Sequence, residues 1–139
     1  MILLDTNVLI DAFDPHSAYA PWARELIAEA VDGEGAAVNA VSLAEICVGD
    51  EDPPSVTDRS RSYGIQIVDV PAAAADVCAR AYRRYRTRRT SAAGTTSPTM
   101  PLPDFFIGAH AVVMSWQLAT ADRGRFRSSF PSLRLLTPG

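Results

Sequence analysis

Four carboxylates of this chain stand in segments that are otherwise apolar or basic, and together they could hold a metal ion. Asp5 follows the apolar run at residues 2–4, and Glu45 lies within the apolar stretch 40–48. Asp104 opens the most apolar stretch of the chain, and Asp122 follows a further apolar run. Each acid therefore falls at an expected strand end or helix start, which is where an α/β fold gathers its site.

Carboxylates that converge on one place must be neutralised. Two of them about 4 Å apart repel each other by about 4 kcal/mol at an effective dielectric constant near 20. Either some of them keep a proton through a raised pKa, or a divalent cation lies among them. Oxygen ligands without Cys or His favour Mg²⁺ or Mn²⁺. A cation held in this way activates water and stabilises the charge of a phosphodiester that is being cut.

Each of these acids also has a purely structural explanation. Asp5 can cap the helix after it, Asp104 can interact with its own helix dipole, and Asp122 can be a turn residue. Glu45 has the S-x-x-E spacing of a capping box with Ser42.

On a helical wheel, a stripe of small residues lies beneath Asp104: Gly108, Ala111 and Ser115. Such a stripe would admit either a substrate or a neighbouring element of the fold.

The charge of the chain is divided unevenly. Its 139 residues carry 16 carboxylates and 13 basic residues, all of them arginine, for a net charge of −3. Residues 1–76 hold 14 carboxylates and three arginines, whereas residues 77–139 hold ten arginines and two acids, Asp104 and Asp122. Acids that stand among so many arginines are candidates for function. The absence of lysine excludes a P-loop, a Schiff base and a Ser-Lys dyad.

Six arginines lie between residues 80 and 89. On a helical wheel four of them share one face: Arg80, Arg83, Arg84 and Arg86. Tyr82 and Tyr85 fall on the opposite face and are expected to point into the core. A face with this much positive charge repels itself unless it meets a polyanion such as RNA. An acidic protein partner, or simple solvation of the helix, would explain the same face.

The apolar pattern predicts strands that alternate with helices. Strands are expected at residues 1–5, 36–40, 65–70, 117–121 and 133–137. Helices are expected at 7–13, 21–31, 42–48, 71–89 and 104–116, with a turn or short helix at 122–126. Prolines and glycine predict loops at 50–54 and 90–103. This order predicts one α/β domain over residues 1–139, with a parallel sheet that is covered by helices on both faces.

Secretion and membrane insertion are not indicated. The first residues lack the basic segment of a signal peptide, and the longest weakly polar run, residues 105–116, is too short to span a bilayer. Cys47 and Cys78 are expected to be reduced core thiols. His16 and His110 are isolated, so no zinc-site spacing is present. We therefore expect a cytoplasmic protein.

Four segments resemble PIN-domain proteins, specifically the VapC-like toxins of bacterial toxin–antitoxin pairs. They are residues 3–11 (LLDTNVLID), 42–46 (SLAEI), 103–111 (PDFFIGAHA) and 118–126 (LATADRGRF). The resemblance implies a three-layer α/β/α sandwich with a central parallel sheet of four to five strands. It also implies an endoribonuclease that depends on Mg²⁺ or Mn²⁺, forms a homodimer and is inhibited by a cognate antitoxin.

The resemblance also assigns roles to residues by position. Asp5 and Asp104 would be the principal metal ligands, while Glu45 and Asp122 would complete the site directly or through water. Two further residues would contact the ligands rather than the metal: Asn7 and Thr120. Two regions depart from the family pattern, because residues 50–60 look short and proline-broken and residues 90–103 look long. Both lie where partner or substrate contacts are expected.

Other interpretations compete with a toxin ribonuclease. A haloacid-dehalogenase-type phosphatase also uses an aspartate after the first strand, but it needs a second aspartate where this chain has Asn7. A receiver domain needs a lysine, which the chain lacks. A non-toxin PIN-fold nuclease that processes RNA would share the whole acidic pattern. A non-catalytic module that binds nucleic acid or protein on the same fold would be free to lose these carboxylates.

Overall fold

A five-stranded sheet forms the centre of the computed structural model, which describes residues 1–91 and 100–139. In chain order the strands are β1 (Ile2–Leu4), β2 (Ala36–Asn39), β3 (Gln66–Val68), β4 (Gln117–Ala119) and β5 (Leu135–Leu136). Their order across the sheet is β3-β2-β1-β4-β5, and each neighbouring pair is parallel. The strand number and direction confirm the predicted fold class.

Helices cover both faces of this sheet. They are α1 (Thr6–Phe13), α2 (Ala20–Asp32), α3 (Ala40–Val48), α4 (Pro53–Ser62), α5 (Ala74–Ser91), α6 (Leu102–Met114) and α7 (Arg123–Arg127). Because side chains alternate along a strand, Ile2 and Leu4 join a core cluster with α1 and α2. Leu3 points the other way and joins a second cluster with α5 and α6. The two clusters make the expected α/β/α sandwich.

The carboxyl ends of β1 and β4 meet in the middle of the sheet. In the register of these strands Leu4 lies opposite Ala119, and the backbone N–H of Asp5 donates to the Ala119 carbonyl at 2.9 Å. The residues that follow the two strands, Asp5 and Thr120, are therefore neighbours. Strand order reverses direction at β1, which is the kind of position where open α/β sheets place their sites.

Helix α4, which the sequence pattern did not predict, takes the last two residues of the loop predicted at 50–54, while residues 50–52 lie outside helices and strands as expected. Its first two residues are Pro53 and Pro54, and proline is well tolerated there because the first N–H groups of a helix have no partner within it. Only Val56 and Ser60 of this helix are buried. The sequence therefore offered too few apolar residues for a helical period to be recognised.

Helix α6 begins at Leu102 rather than at Asp104, with Pro103 in its first turn, and it ends at Met114. Gly108 of this helix packs directly on the ring of Phe130, and a Cβ at position 108 would overlap that ring. The small-residue stripe beneath Asp104 thus admits, at Gly108, an element of the chain itself rather than a substrate.

The predicted loop at residues 90–103 lies mostly outside the described residues. Its ends are helical, since α5 extends to Ser91 and α6 starts at Leu102. The two cysteines are free thiols, but Cys47 is only half-buried and is not the core residue that was expected. Within the described parts of the chain, no helix has both the length and the apolar character needed to cross a membrane.

Candidate active site

Asp5 lies at the carboxyl end of β1 with only 1% of its surface exposed. Its Oδ1 accepts from the Thr6 N–H at 2.8 Å, so Asp5 is the N-cap of α1. Its Oδ2 accepts from the Thr120 hydroxyl at 2.8 Å. Burial raises the pKa of Asp5, and these two hydrogen bonds offset the rise only in part. Capping and membership of the acidic site are therefore combined in one residue.

Thr120 connects three parts of this region through one hydroxyl group. Besides donating to Asp5, its Oγ1 accepts from the Asp122 N–H at 3.1 Å and lies 3.5 Å from Nδ2 of Asn7. The Oδ1 of Asn7 accepts in turn from the Ala121 N–H at 3.1 Å. Asn7 and Thr120 thus connect α1 to the segment after β4 and hold the Asp5 carboxylate in one orientation.

Asp104 projects from the first turn of α6 and is 3% exposed. Its Oδ1 lies 3.5 Å from a guanidinium nitrogen of Arg125, whereas its buried Oδ2 has no hydrogen-bond partner among the described residues. Burial raises the pKa of Asp104 to about 6 against the lowering effect of Arg125. An unpartnered carboxylate oxygen in such a position costs stability, which is typical of an atom kept for a ligand.

Glu45 stands at the rim of the region, exposed on α3. Its Oε1 accepts from the Thr6 hydroxyl at 2.9 Å, across 39 positions of sequence. The capping-box interpretation is wrong, because α3 begins at Ala40 and its N-cap is Asn39, whose Oδ1 accepts from the Ser42 N–H at 2.9 Å. Ser42 is therefore inside the helix and leaves Glu45 free to face Thr6.

Asp122 caps α7, with its Oδ1 accepting from the Arg125 N–H at 3.2 Å. Its Oδ2 lies 3.5 Å from Nε of Arg125, and half of its side chain is exposed. The structural role that the sequence allowed for Asp122 is real. The same side chain also contributes to the acidic region, since its charge raises the pKa of Asp104.

Two side chains at this place were not singled out from the sequence, Arg125 and Thr6. Arg125 lies between Asp104 and Asp122, and its i,i+3 spacing from Asp122 was the available signal. Thr6 presents its hydroxyl to Glu45, a contact between two helices that no local pattern encodes.

The four predicted acids interact electrostatically, but they do not form a tight cluster. The negative charges of Asp5, Glu45 and Asp122 each raise the pKa of Asp104. Among the described residues, however, no three His, Cys, Asp or Glu side chains already stand close enough together to hold a metal ion. The donor set nevertheless fits a hard divalent cation, because it is all oxygen and includes the unpartnered Oδ2 of Asp104.

The arginine face of α5 is as exposed as expected. Four residues make up this face: Arg80, Arg83, Arg84 and Arg86. Tyr82 and Tyr85 pack against Phe105 with ring centroids 5.2 and 5.3 Å away, so their predicted direction is confirmed. Asp76, one turn earlier, pairs with Arg80 at 2.8 Å, although both side chains are well exposed and such a pair is weak.

A buried polar pair connects the helices that carry Glu45 and Asp104. Asn39, which caps α3, places its Nδ2 3.1 Å from Nδ1 of His110 on α6, and both side chains are fully buried. Burial lowers the pKa of His110 and so favours the neutral ring, whose Nδ1 can accept from the amide. The sequence marked His110 as isolated and gave no sign of this partner.

The chain matches the family model for the PIN domain over residues 2–128. No protein with a curated description matches it. Among solved structures it is similar to VapBC2 from Rickettsia felis bound to a promoter DNA fragment, at 22% identity and a TM-score of 0.64, covering 99% of this chain and 98% of that one.

Two further solved structures show the same likeness. FitAcB from Neisseria gonorrhoeae is 23% identical with a TM-score of 0.65, covering 99% of this chain and 98% of that one. VapC20 from Mycobacterium tuberculosis, described as a toxin that cleaves the sarcin-ricin loop, is 18% identical with a TM-score of 0.65, covering 96% and 99%. At these identities the likeness establishes the fold.

Proposed function

The chain belongs to the PIN domain family, and on that premise we propose that it is a metal-dependent endoribonuclease that acts as a toxin. The observation that carries the proposal is the state of Asp104. Its carboxylate is buried, has one oxygen without a partner and shares the field of three other acids. A fold selected for stability alone would replace such a group, because an unpartnered buried oxygen costs roughly 1–3 kcal/mol.

In this proposal the metal is Mg²⁺ or Mn²⁺, held mainly by Asp5 and Asp104. Glu45 and Asp122 complete the site directly or through water. When bound, the cation would supply a Lewis acid for the phosphodiester and a more acidic water. Thr120 keeps the Asp5 carboxylate turned toward the site by its 2.8 Å hydrogen bond.

Glu45 and Asp122, at the edge of the site, are more exposed than Asp5 and Asp104. Thr6 holds Glu45 at the rim through its hydroxyl, where solvent and a long substrate have access. Asn7 supports the turn that carries Asp122 by accepting from the Ala121 N–H.

The proposed substrate is RNA. The exposed arginine face of α5 offers a surface that can bind RNA phosphates whatever the nucleotide sequence of the RNA. The similar VapC20 is described as cleaving the sarcin-ricin loop, which is an RNA, and this supports the same class of substrate here.

The proposed partners are a cognate antitoxin and a second copy of the chain. Several similar structures are toxin–antitoxin complexes, some of them bound to DNA, which supports an antitoxin partner. We place this activity in the cytoplasm and assign it to a single domain over residues 1–139. The main alternative within the family is a nuclease that processes RNA without being a toxin.

Calorimetric titration with Mn²⁺ tests the metal site. We expect the wild type to bind Mn²⁺ and both Asp5→Asn and Asp104→Asn to bind it at least about tenfold more weakly, since each loses a charged ligand. Asp58→Asn, an exposed acid on α4, serves as the matched control and should bind as the wild type does. Equal Mn²⁺ affinity in all four proteins would remove the proposed site.

Expression in a bacterium tests the biological role. The wild type should slow growth, and Asp104→Ala should relieve the effect at equal protein level. Growth arrest by the alanine variant would show that the toxicity does not depend on nuclease chemistry. RNA cleavage by the purified protein without any effect on growth would favour the processing nuclease instead.

A further inference from the structure

Arg125 is placed so that its guanidinium spans two acids of the site. One nitrogen lies 3.5 Å from Oδ1 of Asp104, and Nε lies 3.5 Å from Oδ2 of Asp122. The backbone of Arg125 is held in place beside Asp122, because the Arg125 N–H donates to Oδ1 of Asp122 at 3.2 Å. A guanidinium that reaches two carboxylates from a fixed root acts as a positive charge built into the acidic region.

Both contacts are loose. Strong charge-assisted hydrogen bonds between nitrogen and a carboxylate are about 2.7–2.9 Å long, and the Arg125 contacts of 3.5 Å are longer. The arginine side chain is also 37% exposed, so it can leave toward solvent without disrupting the core. Arg125 therefore neutralises the two acids without being locked to them.

The oxygens that Arg125 contacts are oxygens that a cation would use. Oδ1 of Asp104 and Oδ2 of Asp122 face the guanidinium, while the other Asp122 oxygen caps α7 and the other Asp104 oxygen is unpartnered. A divalent cation that bound both residues would meet a positive charge at that place. It would have to displace the guanidinium, because two cations a few ångströms apart repel strongly.

Resting on the function proposed above, we propose that Arg125 is a resident counter-ion that competes with the metal for Asp104 and Asp122. In the metal-free protein it offsets the repulsion among buried carboxylates. The incoming cation displaces it into solvent at the mouth of the site. Arg125 thus raises the concentration of cation that is needed to fill the site.

The matched pair for the test is Arg125→Gln and Arg123→Gln. Both residues lie on α7 and both variants remove one positive charge, but Arg123 contacts the Thr137 hydroxyl and the Gly139 carbonyl at 3.1 Å instead of the acids. Mn²⁺ affinity is measured by calorimetry and thermal unfolding is measured in EDTA and in saturating Mn²⁺. The loss of one unit of net charge changes Mn²⁺ affinity and unfolding temperature alike in both variants, so only the difference between the variants bears on the proposal.

We expect Arg125→Gln to bind Mn²⁺ roughly three- to tenfold more tightly than the wild type, and Arg123→Gln to stay close to the wild type. We also expect Arg125→Gln to unfold at a lower temperature than Arg123→Gln in EDTA and to gain more from Mn²⁺. A residue that was merely structural would lower the unfolding temperature in both conditions and leave the affinity unchanged.

The outcomes separate this inference from the function on which it rests. If the wild type binds Mn²⁺ and Arg125→Gln binds it equally or more weakly, the counter-ion role is overturned while the metal site stands. If the wild type and Arg125→Gln both fail to bind Mn²⁺, the metal site and the counter-ion role fall together.

Discussion

The hydroxyl of Thr120 donates a 2.8 Å hydrogen bond to Oδ2 of Asp5, across 115 positions of sequence. Both side chains are buried at the point where β1 and β4 end side by side. The parallel register brings the two residues together, and the hydroxyl then fixes which way the carboxylate faces. The sheet thus sets the position of the principal acid, and one polar contact sets its orientation.

Thr120→Val should destabilise the protein by about 1–3 kcal/mol, because it removes the donor and leaves a buried carboxylate oxygen unpaired. Thr120→Ser keeps the hydroxyl and should lose much less. Urea unfolding in EDTA measures both variants. Equal stability of the valine and serine variants would show that the hydrogen bond to Asp5 contributes little.

Asp104→Asn should stabilise the metal-free protein at neutral pH. Because the folded-state pKa of Asp104 is raised to about 6 from 3.8, the folded protein holds this proton more firmly than the unfolded chain does. Its favourable contribution is complete below pH 3.8 and is lost as the pH rises through about 6. The asparagine variant has no charge to bury, so its advantage at pH 7.5 should reach about 3 kcal/mol at most.

Thermal unfolding in EDTA between pH 5 and pH 8 measures this advantage as a difference between the two proteins. Taking the difference removes the opposing effect of His110, whose lowered pKa costs stability in acid in both proteins. The advantage of Asp104→Asn should shrink as the pH falls below 6. An advantage that does not vary with pH, or a less stable variant, would contradict the assignment.

The acids and the strands of the sheet could be predicted from the sequence because their signals are local. An apolar run that ends in an aspartate predicts both β1 and the place of Asp5. The contacts between the helices that carry these acids are not local. Thr6 reaches Glu45 across 39 positions, and Asn39 reaches His110 across 71.

Helix α4 and the start of α3 show a different limit. In α4 two prolines occupy the first helical turn, and they look like a helix break when only the sequence is read. In α3 the spacing of Ser42 and Glu45 suggested a cap, but Asn39 three residues earlier takes that role. Polar residues that are good caps compete with one another, and only tertiary packing decides between them.

The arginine face of α5 should contribute to RNA affinity and little to chemistry. Changing Arg80, Arg83 and Arg84 together to glutamine should weaken binding, and the salt slope should fall by roughly 0.7 for each single-strand phosphate that is no longer neutralised. Cleavage at saturating RNA should fall much less, because the acids are unchanged. Filter binding across a salt series measures affinity and slope together.

A double change of Arg59 and Arg61 to glutamine removes two positive charges on α4, one fewer than the triple variant removes on α5, and serves as the control for lost net charge. If the triple variant keeps the wild-type affinity and salt slope but no longer forms a dimer or a protein complex in size-exclusion chromatography, the face binds protein rather than RNA. Of the three changed arginines, Arg80 should contribute least to RNA affinity, since the negative charge of Asp76, 2.8 Å away, reduces the positive potential that a phosphate would meet there.

Cleavage of RNA by the purified protein tests the central claim most directly. Total bacterial RNA is incubated with the wild type and with Asp104→Asn, each in Mg²⁺ or Mn²⁺ and each again in excess EDTA. We predict fragments only with the wild type and only when the metal is present, with cleavage restored when metal is added back. Because Asp104→Asn is predicted to be the more stable protein, its thermal unfolding in EDTA serves as the control that a lack of cleavage is not a failure to fold. Cleavage that persists in EDTA, or that is equal in the two proteins, would contradict a metal-dependent nuclease built on these acids.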